Sequence, residues 1–437
     1  MRRLVLNYWE QFRSSFWFVP SLMTSVAAAM AFATVALDRA KTEAWMQILD
    51  WAYTGGAAGA SAVLSTIAGS MITIAGVVFS MTLVALSLTT SQLGPRLLRT
   101  FMNDRANQMV LGTFVATFVY CLLVLRTIRY PGENAFVPHL SVTLGVLLAL
   151  VSVGVLIYFI HHLSRSIQAD VLVARLGREV VEEVNELYPE QLGASAEDVP
   201  IIPDAFEQEA RPIPATADGY VQTIDPASLM GIATEEDLLF QIELGPGSYV
   251  VAGRPLVRAH PADRLPEEIA ARVNNAFLLG PQRIPEQDFE FAIYQLVEIA
   301  VRALSPGIND PFTAVRCVDR LGSALCRLAQ REVPSPYRHD DNQRLRVIAP
   351  GVTFPAAVDA AFDTIRQHAA SSVAVTVRLL ETIPVVAAFT QQPEDRAALR
   401  TQAETIVQTA RTAVPDGPDR DTVEHRYHEA REALQAP

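Results

Sequence analysis

Between Asp50 and Arg96 the only ionisable side chain is the phenol of Tyr53, and most of the stretch is Ala, Gly, Ser, Thr, Val, Ile, Leu and Met. Crossing a bilayer takes roughly 20 apolar residues, so residues 57–91 predict one membrane-buried helix long enough to span and still project from the bilayer. At about 3.6 residues per turn, Thr66, Gly69, Ser70, Thr73, Gly76, Val77, Ser80, Val84, Ser87 and Ser91 fall on one side of it. Leu64, Ile67, Met71, Ile74, Val78, Met81, Leu83 and Leu86 cover most of the remainder. The small, hydroxyl-rich side has two readings. Helices in lipid approach one another through Gly, Ala, Ser and Thr, which makes it a packing face. Alternatively, copies of the helix line a water-filled path in which hydroxyls replace part of an ion's hydration shell. On the second reading Thr66, Ser70, Thr73, Gly76, Ser80 and Ser87 are the pore-lining candidates, and cations are the candidate ions.

Hydrophobic residues make up 50% of the 437, and the mean hydropathy is +0.21, which together imply a membrane portion joined to a soluble one. A formal net charge of -12 argues against a nucleic-acid partner, because phosphate binding needs a basic surface. Cys121, Cys317 and Cys326 form neither a disulfide framework nor a CxxC pair and read as small apolar core residues. Lys41 is the only lysine. A P-loop, a pyridoxal enzyme and a swinging-arm carrier each need a lysine at the chemistry, and Lys41 lies in a short loop beside a membrane segment. No cofactor is therefore expected.

Arg2, Arg3 and Arg13 lie among Leu4, Tyr8, Trp9, Phe12, Phe16 and Trp17, a mixture suited to the headgroup level and read as an anchor, not a removed signal. Further spans are expected at residues 16–37, 108–125 and 139–160, giving four with the long helix. With both ends cytoplasmic, the inner segments hold Arg2, Arg3, Arg13, Arg96, Arg99, Arg105, Arg165, Arg175 and Arg178. The outer loops hold only Arg39, Lys41, Arg126 and Arg129, so the positive-inside rule favours that orientation. Residues 1–165 then form the membrane domain. Over 166–217 the apolar periodicity continues as a helical stalk and an acidic linker: ten acids and no Lys or Arg run from Glu179 to Glu209. Those acids read as a solvated face, or, ringed below a pore, as a device that concentrates cations.

Residues 218–262 change character. Gly219–Ile224 alternates like a strand, Pro226–Glu236 reads as a short helix, Leu238–Leu244 alternates again, and Gly245-Pro246-Gly247 turns the chain before Ser248–Arg258. This layout resembles half of the small β-sandwich of biotinyl and lipoyl domains; without a lysine to modify, the resemblance implies a packing or binding module. Residues 263–437 are helical. Two of those helices flank Ser305-Pro306-Gly307-Ile308-Asn309-Asp310-Pro311, where Pro306 and Gly307 break one helix and Asp310 before Pro311 caps the next. Capping explains the turn; alternatively Ser305, Asn309 and Asp310 contact a ligand or a neighbouring subunit. Adjacent His161 and His162 point in different directions on a helix and suit interfacial anchoring, while His425 and His428, one turn apart on a charged terminal helix, give a weak metal pattern. No catalytic constellation can be assembled, and no metal site is expected.

Residues 70–80 (Ser70 to Ser80), Val137-Pro138-His139-Leu140-Ser141-Val142, Tyr158-Phe159-Ile160-His161-His162 and residues 303–311 together resemble an uncharacterised family of bacterial predicted membrane proteins, a domain of unknown function. That resemblance covers nearly the whole chain and implies an inner-membrane protein without bringing an activity or residue roles. The expected fold is mainly α: a four-helix transmembrane domain with a cytoplasmic α+β region, a small β-module followed by helices. The expected function is non-enzymatic. A homo-oligomeric channel or pore is the leading reading, with the second span lining the path and a regulatory cytoplasmic domain. The alternative is a membrane-anchored scaffold or sensor that binds a cytoplasmic partner or ligand.

Overall fold

The structure is a computed structural model that describes residues 17–40, 55–93, 104–129, 136–166, 169–188, 202, 206–331, 333–349 and 351–435. The expected N-terminal anchor, the loop carrying Lys41 and most of the acidic linker lie outside the described residues. The chain divides into two compact units, Met1–Val171 and Leu172–Pro437.

The first unit contains four helices, α1 (Phe18–Ala40), α2 (Ala57–Leu93), α3 (Arg105–Leu125) and α4 (His139–Ser166), each long and apolar enough to cross a membrane. They match the four expected spans. The shortest, α3, is the hub: 56% of its apolar window is buried, against 22–28% for the other three, and it packs on all of them. Small residues permit this. A Cβ at Gly112 would lie 3.2 Å from Pro20 Cα and 2.6 Å from Met23 Sδ, so α1 and α3 approach as closely as only glycine allows. Two apolar layers hold the bundle, one around Ala31, Leu64, Tyr120 and Val142, the other around Met71, Val78, Phe114 and Phe159. α2 enters them along a narrow seam. Its buried residues are Ala60, Leu64, Ala68, Met71, Ala75, Val78, Thr82 and Ala85, at alternating spacings of three and four that keep one flank against its neighbours.

The second unit takes in most of α5 (Ala169–Leu187), expected as a stalk. Its apolar face, Val173, Leu176, Val180 and Val184, is buried in that unit. Asn185 accepts a bond from Arg331 at 2.6 Å. Just beyond the helix, Tyr188 donates to the Val352 carbonyl at 3.1 Å and meets the Phe289 ring edge-on at 5.5 Å. The amphipathic pattern therefore marks a packed helix. Next come α6 (Phe206–Glu209), β1 (Arg211–Pro214), β2 (Gly219–Ile224), α7 (Pro226–Glu235), β3 (Leu239–Ile242), β4 (Tyr249–Val250), β5 (Pro255–His260), α8 (Glu267–Asn274) and β6 (Phe277–Gly280). Then follow α9 (Phe289–Ala303), α10 (Pro311–Leu328), β7 (Tyr337–His339), β8 (Leu345–Ile348), α11 (Phe354–His368), α12 (Val373–Ala387), α13 (Pro393–Ala413) and α14 (Pro418–Gln435).

A five-stranded sheet runs β1-β5-β3-β8-β7, antiparallel except for the parallel β3–β8 pair, and a three-stranded antiparallel sheet runs β4-β2-β6. Both sheets share one core, with Ile213, Phe240 and Leu256 from the larger and Val221, Val250 and Phe277 from the smaller, covered by Leu229 and Ile232 of α7 and Ile269 and Val273 of α8. The β region thus recruits strands on both sides of residues 218–262. An ion-pair network pins the β7–β8 hairpin to the turn before β3: buried Arg346 bonds Asp340 at 2.8 Å and Asp237 at 2.7 Å.

Candidate functional site

The α2 residues predicted to line a path share one property in the structure. Thr66, Ser70, Thr73, Gly76, Ser80 and Ser87 are all exposed, on the flank opposite the buried seam. Nothing within 4 Å would meet a Cβ at Gly69 or Gly76. Thr66 donates its hydroxyl to the Ala62 carbonyl at 2.8 Å and Thr73 to that of Gly69 at 2.9 Å, so each hydroxyl proton is satisfied within the helix while the oxygen still presents lone pairs outward. An open groove of about 620 Å³ runs along this flank; Thr73, Gly76 and Ser80 line it together with the apolar side chains of Val77, Met81, Val84, Ala85 and Leu88 and with Leu163 of α4. The outer surfaces of α1 and α4 expose bulk throughout, with Leu22, Val26 and Phe32 on α1 and Leu147, Leu150 and Ile157 on α4, whereas on α2 exposed bulk such as Val77, Met81, Val84 and Leu88 is interleaved with the small and hydroxyl residues.

Several polar groups that hold the bundle in register cannot be assigned partners from sequence. Asp38, near the end of α1, accepts from the Leu140 amide at 3.0 Å, the Ser141 amide at 3.0 Å and the Ser141 hydroxyl at 2.6 Å, capping α4 from another helix. The signal for this is a missing one. Val137-Pro138 stands where a Ser, Thr, Asp or Asn cap would be expected, so the acceptor has to come from elsewhere. The Tyr120 hydroxyl joins the Thr34 hydroxyl at 3.1 Å and donates to the Ser141 carbonyl at 3.0 Å, tying α3 to α1 and α4, and Thr117 meets Ser152 at 3.2 Å. At the other end, Asp104 caps α3 through the Ala106 amide at 2.9 Å and bonds His162 at 2.7 Å. His162 also stacks on Tyr158, whereas its neighbour His161 is exposed. Beside this cap, both polar atoms of the Asn107 amide lack a hydrogen-bond partner among the described residues, with the residue 2% exposed.

In the second unit the Ser305–Pro311 turn is built by capping. Ser305 donates to the Arg302 carbonyl at 2.6 Å. Asn309 takes a left-handed conformation (φ 49°), which asparagine tolerates better than most residues, and the Asp310 amide returns to the Ala303 carbonyl at 2.8 Å. The Asp310 carboxylate accepts from the Thr313 hydroxyl at 2.5 Å and the Thr313 amide at 3.1 Å, bonds that hold its carboxyl below the usual range. Ser305 and Asp310 are therefore committed to the turn. Asn309 is exposed, and so are Ile308 and Phe312 beside it.

A family model described as "Predicted membrane protein (DUF2254)" matches residues 13–384. Among curated proteins, uncharacterized protein Rv1290c of Mycobacterium tuberculosis (strain ATCC 25618 / H37Rv) is 31% identical over 446 residues, covering 100% of this chain and 83% of that protein. Uncharacterized protein Mb1321c of Mycobacterium bovis aligns with the same identity and coverage. No solved structure matches this chain. With four helices fit to span a bilayer and a family match reaching through both units, the chain belongs to the DUF2254 family of predicted membrane proteins.

Proposed function

We propose that this membrane protein assembles as a homo-oligomeric channel in which α2 from each copy lines a path for cations, with the second unit as a cytoplasmic regulatory domain. The observation that carries this reading is the exposure of the six hydroxyl and glycine positions of α2, Thr66, Ser70, Thr73, Gly76, Ser80 and Ser87, on the flank opposite a seam of the same helix that is packed. Lipid gains nothing from glycine and serine over leucine, whereas helix contacts and hydrated paths do use them. Outward-facing hydroxyl oxygens supply neutral ligands that replace water without holding an ion by charge. The distribution of basic residues, nine on one side and four on the other, supports placing both termini in the cytoplasm of a bacterial inner membrane. At 37 residues α2 is about 55 Å long, so it projects beyond a hydrocarbon core of about 30 Å.

Potassium flux from liposomes containing the native protein tests this directly. Thr73→Leu and Ser80→Leu each fill the groove with lipid-like bulk and are expected to cut flux at least tenfold with insertion unchanged. Absence of flux from the native protein would remove the proposal.

A second reading, a membrane-anchored scaffold or sensor for a cytoplasmic partner, is favoured by one observation: Phe312 is 69% exposed and Ile308 38%, next to exposed Asn309, on a turn whose other polar groups are internally satisfied. Phe312→Asp should leave thermal stability within about 0.5 kcal/mol of native, as for most surface changes, and abolish partner capture by the full-length protein. Identical partner sets from both proteins would count against that reading.

A further inference from the structure

Where α1 and α3 end and α4 begins, Arg39, Arg126 and Arg129 converge on one open cleft of about 750 Å³, whose wall includes Phe32, Val35 and Leu123. Phe136 holds two of the three. Its ring lies under the Arg39 guanidinium, 5.5 Å from centroid to carbon, and its backbone pairs with Arg129 through bonds of 3.1 and 3.4 Å. The adjacent carboxylate, Asp38, is already engaged by Leu140 and Ser141. Among the described residues, none of the three arginines is ion-paired. A cation in the last turn or at the C-cap of a helix is ordinary, since the dipole favours it there, and that accounts for Arg39 and Arg126 taken singly. It does not account for a third guanidinium beyond the end of α3, or for an apolar wall beneath all three. Like charges gathered with no ion-paired carboxylate among the described residues repel one another, and an anion between them removes the cost. On the orientation proposed above, these are also three of the four basic residues in the outer loops, so the charges least expected on that side are the ones brought together.

We propose that this cleft binds the phosphate group of an anionic phospholipid, the guanidiniums taking the phosphate oxygens in paired hydrogen bonds and an acyl chain lying along Phe32, Val35 and Leu123. Free phosphate has the same oxygens but nothing to place on the apolar wall, which continues into the exposed surface at Phe32 and Leu122. The test uses full-length protein in a neutral detergent, titrated with phosphatidylglycerol, phosphatidylcholine or inorganic phosphate, reading bound lipid by native mass spectrometry and the thermal midpoint in parallel. Phosphatidylglycerol is expected to remain bound and raise the midpoint, with the other two doing neither at equal concentration. Each charge removed should weaken retention roughly fivefold, so R39Q/R126Q/R129Q should weaken it on the order of a hundredfold. R175Q/R254Q, removing two exposed arginines elsewhere, should leave it unchanged. Equal retention by the triple variant and native protein, equal loss in the R175Q/R254Q control, or equal effects of phosphatidylcholine or inorganic phosphate on native protein would each overturn the proposal. The three-probe comparison on native protein decides the matter even if the triple variant does not fold.

Discussion

Asp395 stands in the first turn of α13 with the residue only 8% exposed; burial, with Glu394 adding to it, pushes its carboxyl up to about 6. A group that binds its proton more tightly in the folded state adds stability at low pH. That contribution is complete below the unfolded carboxyl value of about 4 and lost as pH rises through about 6. Asp395→Asn should therefore raise the thermal midpoint at pH 7, by at most about 3 kcal/mol in stability, and flatten its fall between pH 4 and 6. A pH series of melts on both proteins checks this, and an unchanged slope would show that the carboxyl is not isolated from water. Asp38 acts through its hydrogen bonds, because its carboxylate is the acceptor for another helix. Asp38→Ala strands the Leu140 and Ser141 amides at the start of α4 and should cost about 1–2 kcal/mol in detergent melts, with Asp38→Asn recovering part of it. The capping of α10 by Asp310 is legible in the sequence because donor and acceptor are three residues apart, whereas Asp38 and Ser141 are 103 apart and only the fold joins them.

Close helix crossings follow where side chains vanish. A Cβ at Gly322 in α10 would lie 2.4 Å from Thr382 Cγ2 in α12, with both residues buried. Gly322→Val is expected to destabilise by about 2–3 kcal/mol through overpacking. Gly177→Ala in α5 would bring its Cβ to 2.9 Å from Arg320 Cβ and 2.8 Å from Arg320 Cδ, too close for the side chain alone to yield, and is expected to destabilise by about 1–2 kcal/mol. Parallel melts of the two variants check both values. The four spans are legible because apolar length alone specifies them, and the flank of α2 is legible because helical periodicity does. That α2 packs through its Ala and Leu seam and leaves the hydroxyls bare is not, since both flanks are small enough to pack. The same holds for α5, whose amphipathic pattern declares a buried face without naming what buries it. Strands β7 and β8 span only three and four residues, too few for alternation to show.

Assembly tests the molecule as a whole. Cys121 and Cys317 are buried, so a Cys326→Ser background leaves little reactive thiol, and Ser80→Cys then reports on the α2 flank alone. A bifunctional thiol reagent applied to membranes should link copies through position 80 and not through Leu150→Cys, on the exposed bulk of α4. Monomer from both would mean that the flank meets lipid. The parallel pairing of Phe240 with Val347 has a consequence during synthesis. One margin of Leu239–Ile242 stays uncovered until the ribosome has released about a hundred more residues, so a nascent chain stalled in that interval presents an unpaired backbone edge to any other chain nearby.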